Sequence, residues 1–113
     1  MIRGIGIDLV SIARIERAME RKPGFVERIL TEAERGEALT VAYVAGRWAA
    51  KEAAKKAFPQ ISGWHQVEIL RGPDGSPVLR VKGAPPGWVW WVSITHERDM
   101  AAAVVVSEQG RGG

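Results

Sequence analysis

The sequence predicts an α+β fold, with helices gathered in the first half of the chain and antiparallel strands in the second. Apolar residues recur mainly at helical spacing up to residue 58, whereas apolar and polar residues alternate beyond residue 64. The run Gly-Pro-Asp-Gly-Ser at 72–76 separates two alternating segments and is typical of a hairpin turn. The 113 residues suffice for one small domain. We place this domain at residues 1–109 and expect a flexible tail at 110–113.

The first predicted element is a buried strand from Ile2 to Leu9. Isoleucine alternates with glycine in this strand, which indicates a close approach by another segment, and Asp8 lies near its C-terminal end. Ser11 then suits the N-cap of a helix that runs to about Arg21. The run Lys-Pro-Gly at 22–24 ends this helix, because proline cannot continue the hydrogen-bond pattern.

Two short elements and one long helix follow. Residues 25–30 are predicted to form one helical turn, and Thr31 with Glu34 has the form of a capping box that opens another short helix. The strongest helix signal runs from about Thr40 to Phe58, where alanine is abundant and Pro59 ends the element.

The second half is predicted to consist of four strands. Residues 64–70 and 78–82 alternate as two paired strands on either side of the hairpin turn. The last two strands cover residues 88–95 and 100–107 and are joined across residues 96–99.

The composition excludes several classes of protein. Cysteine is absent, which rules out disulfides, thiolate metal sites and cysteine nucleophiles. The longest apolar run, Met100 to Val106, is too short to cross a membrane, and the first residues lack the layout of a secretory signal, so we expect a cytoplasmic protein. Five tryptophans in so small a domain weakly favour an oligomer. The net charge of +3 suits a nucleic acid, a phosphate-rich small molecule or an acidic protein as partner.

Two acidic residues, Asp8 and Glu52, stand apart from the ordinary surface charge. Asp8 ends a glycine-rich strand, and Glu52 lies within a basic helix. Because Mg²⁺ takes oxygen ligands, often one or two carboxylates with substrate phosphates, both are candidate metal ligands if the fold brings them together. The simpler alternatives are that Asp8 caps the following helix and that Glu52 pairs with Lys55 or Lys56 on its own helix.

The basic residues of the long helix are arranged in two neighbouring rows. Arg47, Lys51 and Lys55 recur every four residues, and Glu52 and Lys56 lie in the adjacent row. A metal-binding acid one turn from a lysine is what a pyrophosphate substrate requires. The simpler alternative is an ordinary solvated face. A nucleic-acid surface is the rival function, but the tryptophans lie in apolar strands and no familiar nucleic-acid motif is present.

Four blocks of sequence, taken together and in their order along the chain, form a specific pattern. They are Gly-Ile-Gly-Ile-Asp-Leu at 4–9, Phe-Val-Glu-Arg-Ile-Leu-Thr at 25–31 with Glu34, Ala-Gly-Arg-Trp-Ala-Ala-Lys-Glu-Ala at 45–53, and Val-Ser-Ile-Thr-His at 92–96 followed by Ala-Ala-Ala-Val-Val at 101–105. Together they resemble the bacterial holo-acyl-carrier-protein synthase family, the short phosphopantetheinyl transferases. The resemblance implies a phosphopantetheinyl transferase-like fold and a homotrimer with active sites between subunits.

The resemblance also implies a reaction, the Mg²⁺-dependent transfer of the 4′-phosphopantetheine arm of coenzyme A to a serine of apo acyl carrier protein. The reaction releases adenosine 3′,5′-bisphosphate and supports fatty acid synthesis. By this likeness Asp8 and Glu52 hold Mg²⁺ against the pyrophosphate, where Lys56 neutralises charge. Glu52, directly or through a metal-bound water, takes the proton from the serine. Arg47 and His96 bind the nucleotide end of coenzyme A, and His96 is expected to come from the neighbouring chain.

A basic surface on the first helix suggests where an acidic carrier protein would dock. Arg14, Arg17 and Arg21 share one face of this helix, and Arg28 lies just beyond it. Arg14 and Arg28 match basic positions that the resembled family uses for docking, whereas Arg17 and Arg21 extend the surface on spacing alone. The simpler alternative is surface charge balanced by neighbouring glutamates.

The chain departs from the family pattern between Glu34 and Tyr43, where it is shorter than usual and lacks a basic pair. Arg47 would then carry more of the binding of the 3′-phosphate, or the affinity for coenzyme A would be lower. Three hypotheses therefore stand: a transferase, a non-catalytic basic module that binds nucleic acid, and a family member with impaired catalysis. The intact candidate carboxylates and lysine argue against the last.

Overall fold

The computed structural model describes residues 1–110. Residues 111–113 of the predicted tail lie outside the described residues, whereas the backbone N–H of Gly110 donates to the carbonyl of Gly87 at 2.8 Å. The elements in chain order are β1 (Ile2–Ser11), α1 (Ile12–Arg21), α2 (Phe25–Ile29), a 3₁₀ turn (Glu34–Gly36), α3 (Val41–Ala57), a second 3₁₀ turn (Trp64–Gln66), β2 (Val67–Arg71), β3 (Pro77–Val81), β4 (Trp88–His96) and β5 (Met100–Gln109). Within this part of the chain, no helix is both long and apolar enough to cross a membrane.

The strands form two antiparallel sheets. The larger sheet has the order β1-β5-β4, and the smaller one pairs β2 with β3. The first and last strands of the chain are neighbours, with Ile7 opposite Val104 and Leu9 opposite Ala102. The predicted α+β class and the antiparallel hairpins are confirmed.

Helix α3 packs directly against the inner face of the larger sheet. A Cβ atom added at Gly4 would lie 2.2 Å from the carbonyl oxygen of Ala57, and one added at Gly6 would lie 2.0 Å from that of Ala53. The close approach predicted from the glycines of the first strand is therefore a contact between the backbones of β1 and α3. This contact determines how the side chains of α3 stand relative to Asp8.

The outer face of the larger sheet is apolar and uncovered in the single chain. Ile5, Ile7 and Leu9 on β1 are 63%, 66% and 64% exposed, and Trp91 on β4 is 60% exposed. Exposed Ser93 and Thr95 share this face, but four large exposed apolar side chains on one face of a sheet exceed the single exposed apolar residues that are common.

Two local predictions need correction. The strand predicted from residue 64 begins only at Val67, because Gln66 makes a 3₁₀ turn and its side-chain oxygen accepts from the backbone N–H of Ser62 at 2.8 Å. The capping box between Thr31 and Glu34 is present, with the N–H of Thr31 donating to Glu34 Oε1 at 2.8 Å. It opens only a single 3₁₀ turn, because the Glu34 carboxylate turns inward and is fully buried.

Candidate active site

The end of β1 and the last turns of α3 bring three predicted residues together. Asp8 lies on the inner face of the sheet, and Glu52 and Lys56 lie one turn apart on α3. Lys56 Nζ donates to Asp8 Oδ1 at 3.1 Å and to the carbonyl oxygen of Ile7 at 2.9 Å. The backbone contact of the two elements thus positions the predicted metal ligands and the predicted phosphate-binding lysine at one place.

The Asp8 carboxylate influences the protonation of Glu52. Partial burial raises the pKa of Glu52, and the negative charge of the nearby Asp8 carboxylate raises it further. Asp8 Oδ2 is buried without a hydrogen-bond partner. Two adjacent carboxylates with an unpartnered buried oxygen suit a hard cation. Among residues 1–110 no group of three or more possible metal-ligating side chains is found, so substrate oxygens and water would complete such a site.

The simpler alternatives for these residues are wrong. The N-cap of α1 is Ser11, whose hydroxyl accepts from the N–H of Arg14 at 3.3 Å, so Asp8 is not the cap. Lys56 pairs with Asp8 rather than with Glu52. Lys55 turns to the carbonyl groups that follow the helix and donates to Pro59 at 2.9 Å.

An open groove of about 550 Å³ extends from the carboxylates along α1. The charged and aromatic side chains that line it are Asp8, Arg14, Arg17, Arg21, Lys22, Phe25, Trp48 and Glu52. Three of the four arginines predicted to bind a partner therefore share a groove with the candidate catalytic residues. Arg28 is exposed on α2 and does not line the groove.

The simpler alternative of a solvated helix face holds only in part, because Lys55 and Lys56 are exposed whereas Arg47 and Lys51 are buried. Arg47 is only 8% exposed, and its guanidinium group lies 4.6 Å from the centre of the Tyr43 ring. Burial raises the pKa of Tyr43, and the nearby Arg47 charge opposes this shift. Arg47 Nε is buried without a hydrogen-bond partner. Binding of the nucleotide end of coenzyme A by Arg47 stays a prediction.

His96 lies apart from this groove. It is an exposed residue at the end of β4 and borders a shallow pocket of about 240 Å³ with Leu9 and Thr95. In the sheet, β5 separates β4 from β1, so His96 does not reach the Asp8–Glu52 pair of its own chain across two strand spacings of roughly 5 Å each. Its contribution to the site of a neighbouring chain stays a prediction.

Sequence reasoning missed two features near the site. Trp48 and Phe25 add an apolar part to the groove, although the sequence indicated them only as residues of the resembled blocks. Lys51 is fully buried against Glu34, with Nζ 2.7 Å from Oε1. The spacing of Lys51 indicates a basic helix face, and the capping-box motif and the second resembled block are the two signals that single out Glu34.

Comparison with known proteins decides the family. The model of the 4′-phosphopantetheinyl transferase superfamily matches residues 4–105 of the chain. The chain belongs to this superfamily. Among curated members, the holo-[acyl-carrier-protein] synthase of Solidesulfovibrio magneticus is 46% identical to this chain. The match covers 96% of this chain and 99% of that relative. The chain is 38% identical to the synthase of Salinispora arenicola, over 96% and 100% of the two chains.

Solved structures of superfamily members share the fold. The holo-(acyl-carrier-protein) synthase of Bacillus anthracis in complex with CoA (3′,5′-ADP) matches with a TM-score of 0.83 and 36% identity, over 97% of this chain and 99% of that one. The Helicobacter pylori synthase in complex with coenzyme A matches with a TM-score of 0.82 and 32% identity, over 92% and 99%. The predicted phosphopantetheinyl transferase-like fold is thereby confirmed.

Proposed function

We propose that this chain is a holo-acyl-carrier-protein synthase, which transfers 4′-phosphopantetheine from coenzyme A to a serine of apo acyl carrier protein in the cytoplasm and so serves fatty acid synthesis. The observation that carries the proposal is that Asp8 and Glu52 line one arginine-lined groove, with Lys56 bound to Asp8. The curated relatives are named for this activity, and the Bacillus anthracis and Helicobacter pylori structures contain coenzyme A or its nucleotide part.

Mg²⁺ is the proposed cofactor, and Asp8 and Glu52 would hold it. Two observations support this assignment. A bound cation would give the unpartnered Asp8 Oδ2 a partner, and its positive charge would lower the raised pKa of Glu52. When bound, Mg²⁺ neutralises charge on the pyrophosphate oxygens of coenzyme A.

The protein side chains supply the remaining steps of the proposed reaction. The serine oxygen of the carrier protein forms a bond to the phosphorus that bears the pantetheine arm, and the bond from that phosphorus to the bridging oxygen breaks. Glu52, directly or through a bound water, takes the serine proton. The ammonium group of Lys56, whose side chain is 54% exposed, offsets the charge on the departing adenosine 3′,5′-bisphosphate.

The carrier protein would dock along α1. Arg14, Arg17 and Arg21 line the groove that leads to Glu52, and Arg28 extends the positive surface onto α2. A positive surface of this kind attracts an acidic partner and orients it during approach. The serine of the bound carrier would then face the carboxylates at the end of the groove.

A homotrimer is the proposed assembly. The exposed apolar face formed by Ile5, Ile7, Leu9 and Trp91 supports it, because a second copy of the chain would cover that face. In this assembly His96 of one chain would join Arg47 of another at the nucleotide end of coenzyme A.

The deciding experiment is intact-mass spectrometry of an apo acyl carrier protein incubated with this chain, coenzyme A and Mg²⁺, beside a sample with a chelator. We expect the carrier to gain the mass of one phosphopantetheine arm, and we expect the chelator to prevent the gain. No gain with several carrier proteins would refute the proposal and favour the nucleic-acid-binding alternative, for which a titration with duplex and single-stranded DNA is the next measurement.

A further inference from the structure

A fully buried ion pair connects four segments beneath the candidate active site. Glu34 and Lys51 have no exposed side-chain surface, and their Oε1 and Nζ atoms are 2.7 Å apart. Glu34 also accepts hydrogen bonds from the backbone N–H groups of Thr31 and Ile69, both at 2.8 Å. Lys51 also donates to the carbonyl oxygen of Trp64 at 2.9 Å. The pair therefore joins α3 to β2 and to both 3₁₀ turns.

Stability alone is a poor explanation for this pair. Burial lowers the pKa of Lys51, which reflects the unfavourable transfer of its charge out of water, although the Glu34 carboxylate opposes the shift. Replacement of a buried ion pair by apolar side chains of similar volume is often neutral or stabilising. What the apolar replacement lacks is direction, since hydrogen bonds fix the angle between the joined segments as well as their distance.

The direction of the hydrogen bonds made by the buried pair affects the orientation of Glu52. Lys51 precedes Glu52 on α3, so anchoring its side chain on one side of the helix fixes the rotation that turns Glu52 toward Asp8. Trp64, whose carbonyl Lys51 holds, packs edge-on against Trp48 with the ring centres 4.7 Å apart. Trp48 lines the groove beside Glu52.

Glu34 also connects to the predicted nucleotide-binding residue. Its backbone carbonyl accepts a hydrogen bond from the Tyr43 hydroxyl at 2.7 Å. The Tyr43 ring in turn carries the guanidinium group of Arg47. Glu34 thus binds Lys51 through its carboxylate. Through its backbone carbonyl it also binds Tyr43, whose ring contacts Arg47.

We propose that Glu34 and Lys51 are positioning residues for the transfer reaction, whose buried pairing sets the rotation of α3 so that Glu52 and Asp8 hold one cation between them. This inference rests on the proposed function of the site. Neither residue touches the groove, so their loss acts through Glu52 and not through the docking surface on α1.

The test compares two double variants of the full chain. E34Q/K51M removes the charges of the buried pair while keeping similar volumes. E37Q/R71M removes the exposed Arg71–Glu37 pair, whose Nε–Oε1 distance is also 2.7 Å, and serves as the matched control. Mn²⁺ affinity is measured by electron paramagnetic resonance on samples shown by circular dichroism to be fully folded, and kcat and KM are measured with an apo carrier protein.

We expect E34Q/K51M to bind Mn²⁺ about 10-fold to 100-fold more weakly than the wild type, which is the usual effect of losing a group that orients a metal ligand. We expect a similar fall in kcat and a KM for the carrier within about 2-fold of the wild-type value, because the arginines of α1 are untouched. The control should match the wild type in all three quantities.

Wild-type Mn²⁺ affinity in folded E34Q/K51M would overturn the inference, as would an equal loss in the control. If the double variant does not fold, K51M alone is used, because it removes the anchor on α3 while the Glu34 carboxylate keeps its two backbone N–H donors, and the same two outcomes apply. A wild-type chain that transfers nothing would refute the proposed function, whereas the comparison of Mn²⁺ affinities still decides the role of the pair.

Discussion

Asp8 on β1 and Lys56 on α3 form an ion pair of 3.1 Å although 48 positions separate them in the sequence. The same ammonium group donates to the backbone carbonyl of Ile7, so the lysine is held by the strand end as a whole. More than half of its side-chain surface remains exposed, at 54%. A cation at the carboxylates would compete with Lys56 for Asp8 and leave the ammonium group to face a phosphate.

Glu52→Gln is expected to lower the transfer rate by about 10²-fold to 10⁴-fold, the usual contribution of a positioned base, and to remove one of the two carboxylates proposed to bind the metal. The fold should persist, because an amide occupies nearly the same volume. Intact-mass spectrometry of the carrier protein measures the rate, and circular dichroism checks the fold. Glu32→Gln, at an exposed position, is the control. Full transferase activity in Glu52→Gln would show that the metal assignment is wrong.

The stability of the metal-free protein should depend on pH through Glu52. Its pKa is raised in the folded state, so the folded state binds more protons than the unfolded chain between the ordinary glutamate pKa and the raised value. This contribution to stability is complete below the ordinary value and is lost as the pH rises through the raised one. We therefore expect Glu52→Gln to melt above the wild type at pH 7 in chelator, with the difference closing toward about pH 4.3.

Thermal unfolding from pH 4 to pH 8 measures this difference. Addition of Mg²⁺ at pH 7 should raise the melting temperature of the wild type and leave that of Glu52→Gln almost unchanged, because a ligand stabilises only the folded state that binds it. A constant gap between the two proteins across the pH range would contradict the coupling of Glu52 to Asp8.

The double substitution Arg17→Ala with Arg21→Ala is expected to raise KM for the carrier protein by about 10-fold or more and to leave kcat nearly unchanged, because docking charges act before the chemical step. The dependence of kcat/KM on salt should become weaker in the same variant. Steady-state kinetics at two ionic strengths measures both effects, with Arg80→Ala on β3 as an exposed control. An unchanged KM would exclude α1 as the docking surface.

Ile7→Lys should dissociate the proposed trimer, because it places a charge in the middle of the apolar outer face of the sheet. Sedimentation velocity should then report single chains, and transferase activity should fall with the loss of the neighbouring His96. Leu70→Lys on β2 is the control, since Leu70 is also an exposed apolar residue, at 37%, but lies on the smaller sheet. A wild-type chain that sediments as a monomer at all concentrations would refute the assembly.

Gly6→Ala is expected to destabilise the fold by about 3 kcal/mol, because the new Cβ would lie 2.0 Å from the Ala53 carbonyl oxygen and force β1 away from α3. Urea unfolding measures this loss of free energy. Gly63→Ala is the matched control, because no atom of the described structure lies within 4 Å of a Cβ added there and its φ of −149° suits any residue. Equal stability of the two variants would disprove the close backbone contact.

Local structure could be predicted well from the sequence because its signals are local. The N-cap at Ser11, the capping box at Thr31 and the hairpin at 72–76 each depend on residues a few positions apart. The pairing of β1 with β5 could not be predicted in this way, since alternation shows that a segment is a strand without naming its neighbour.

The candidate site was predictable only in part. Asp8 and Glu52 were proposed together from the chemistry of oxygen ligands and the family resemblance, whereas their proximity depends on the long-range packing of β1 on α3. The burial of Lys51 could not be predicted, because an alanine-rich helix offers little contrast between apolar and polar faces.

Because β1 contacts α3 through glycine, the geometry of the site depends little on much of the surrounding sequence. Gly6 lies two residues before Asp8, and Ala53 directly follows Glu52, so both carboxylates flank the point where the two backbones touch. The distance between the two carboxylates therefore depends on a contact between main-chain atoms, which every residue type has. Substitutions of core side chains elsewhere should therefore change the stability of the protein more than they change the distance between Asp8 and Glu52.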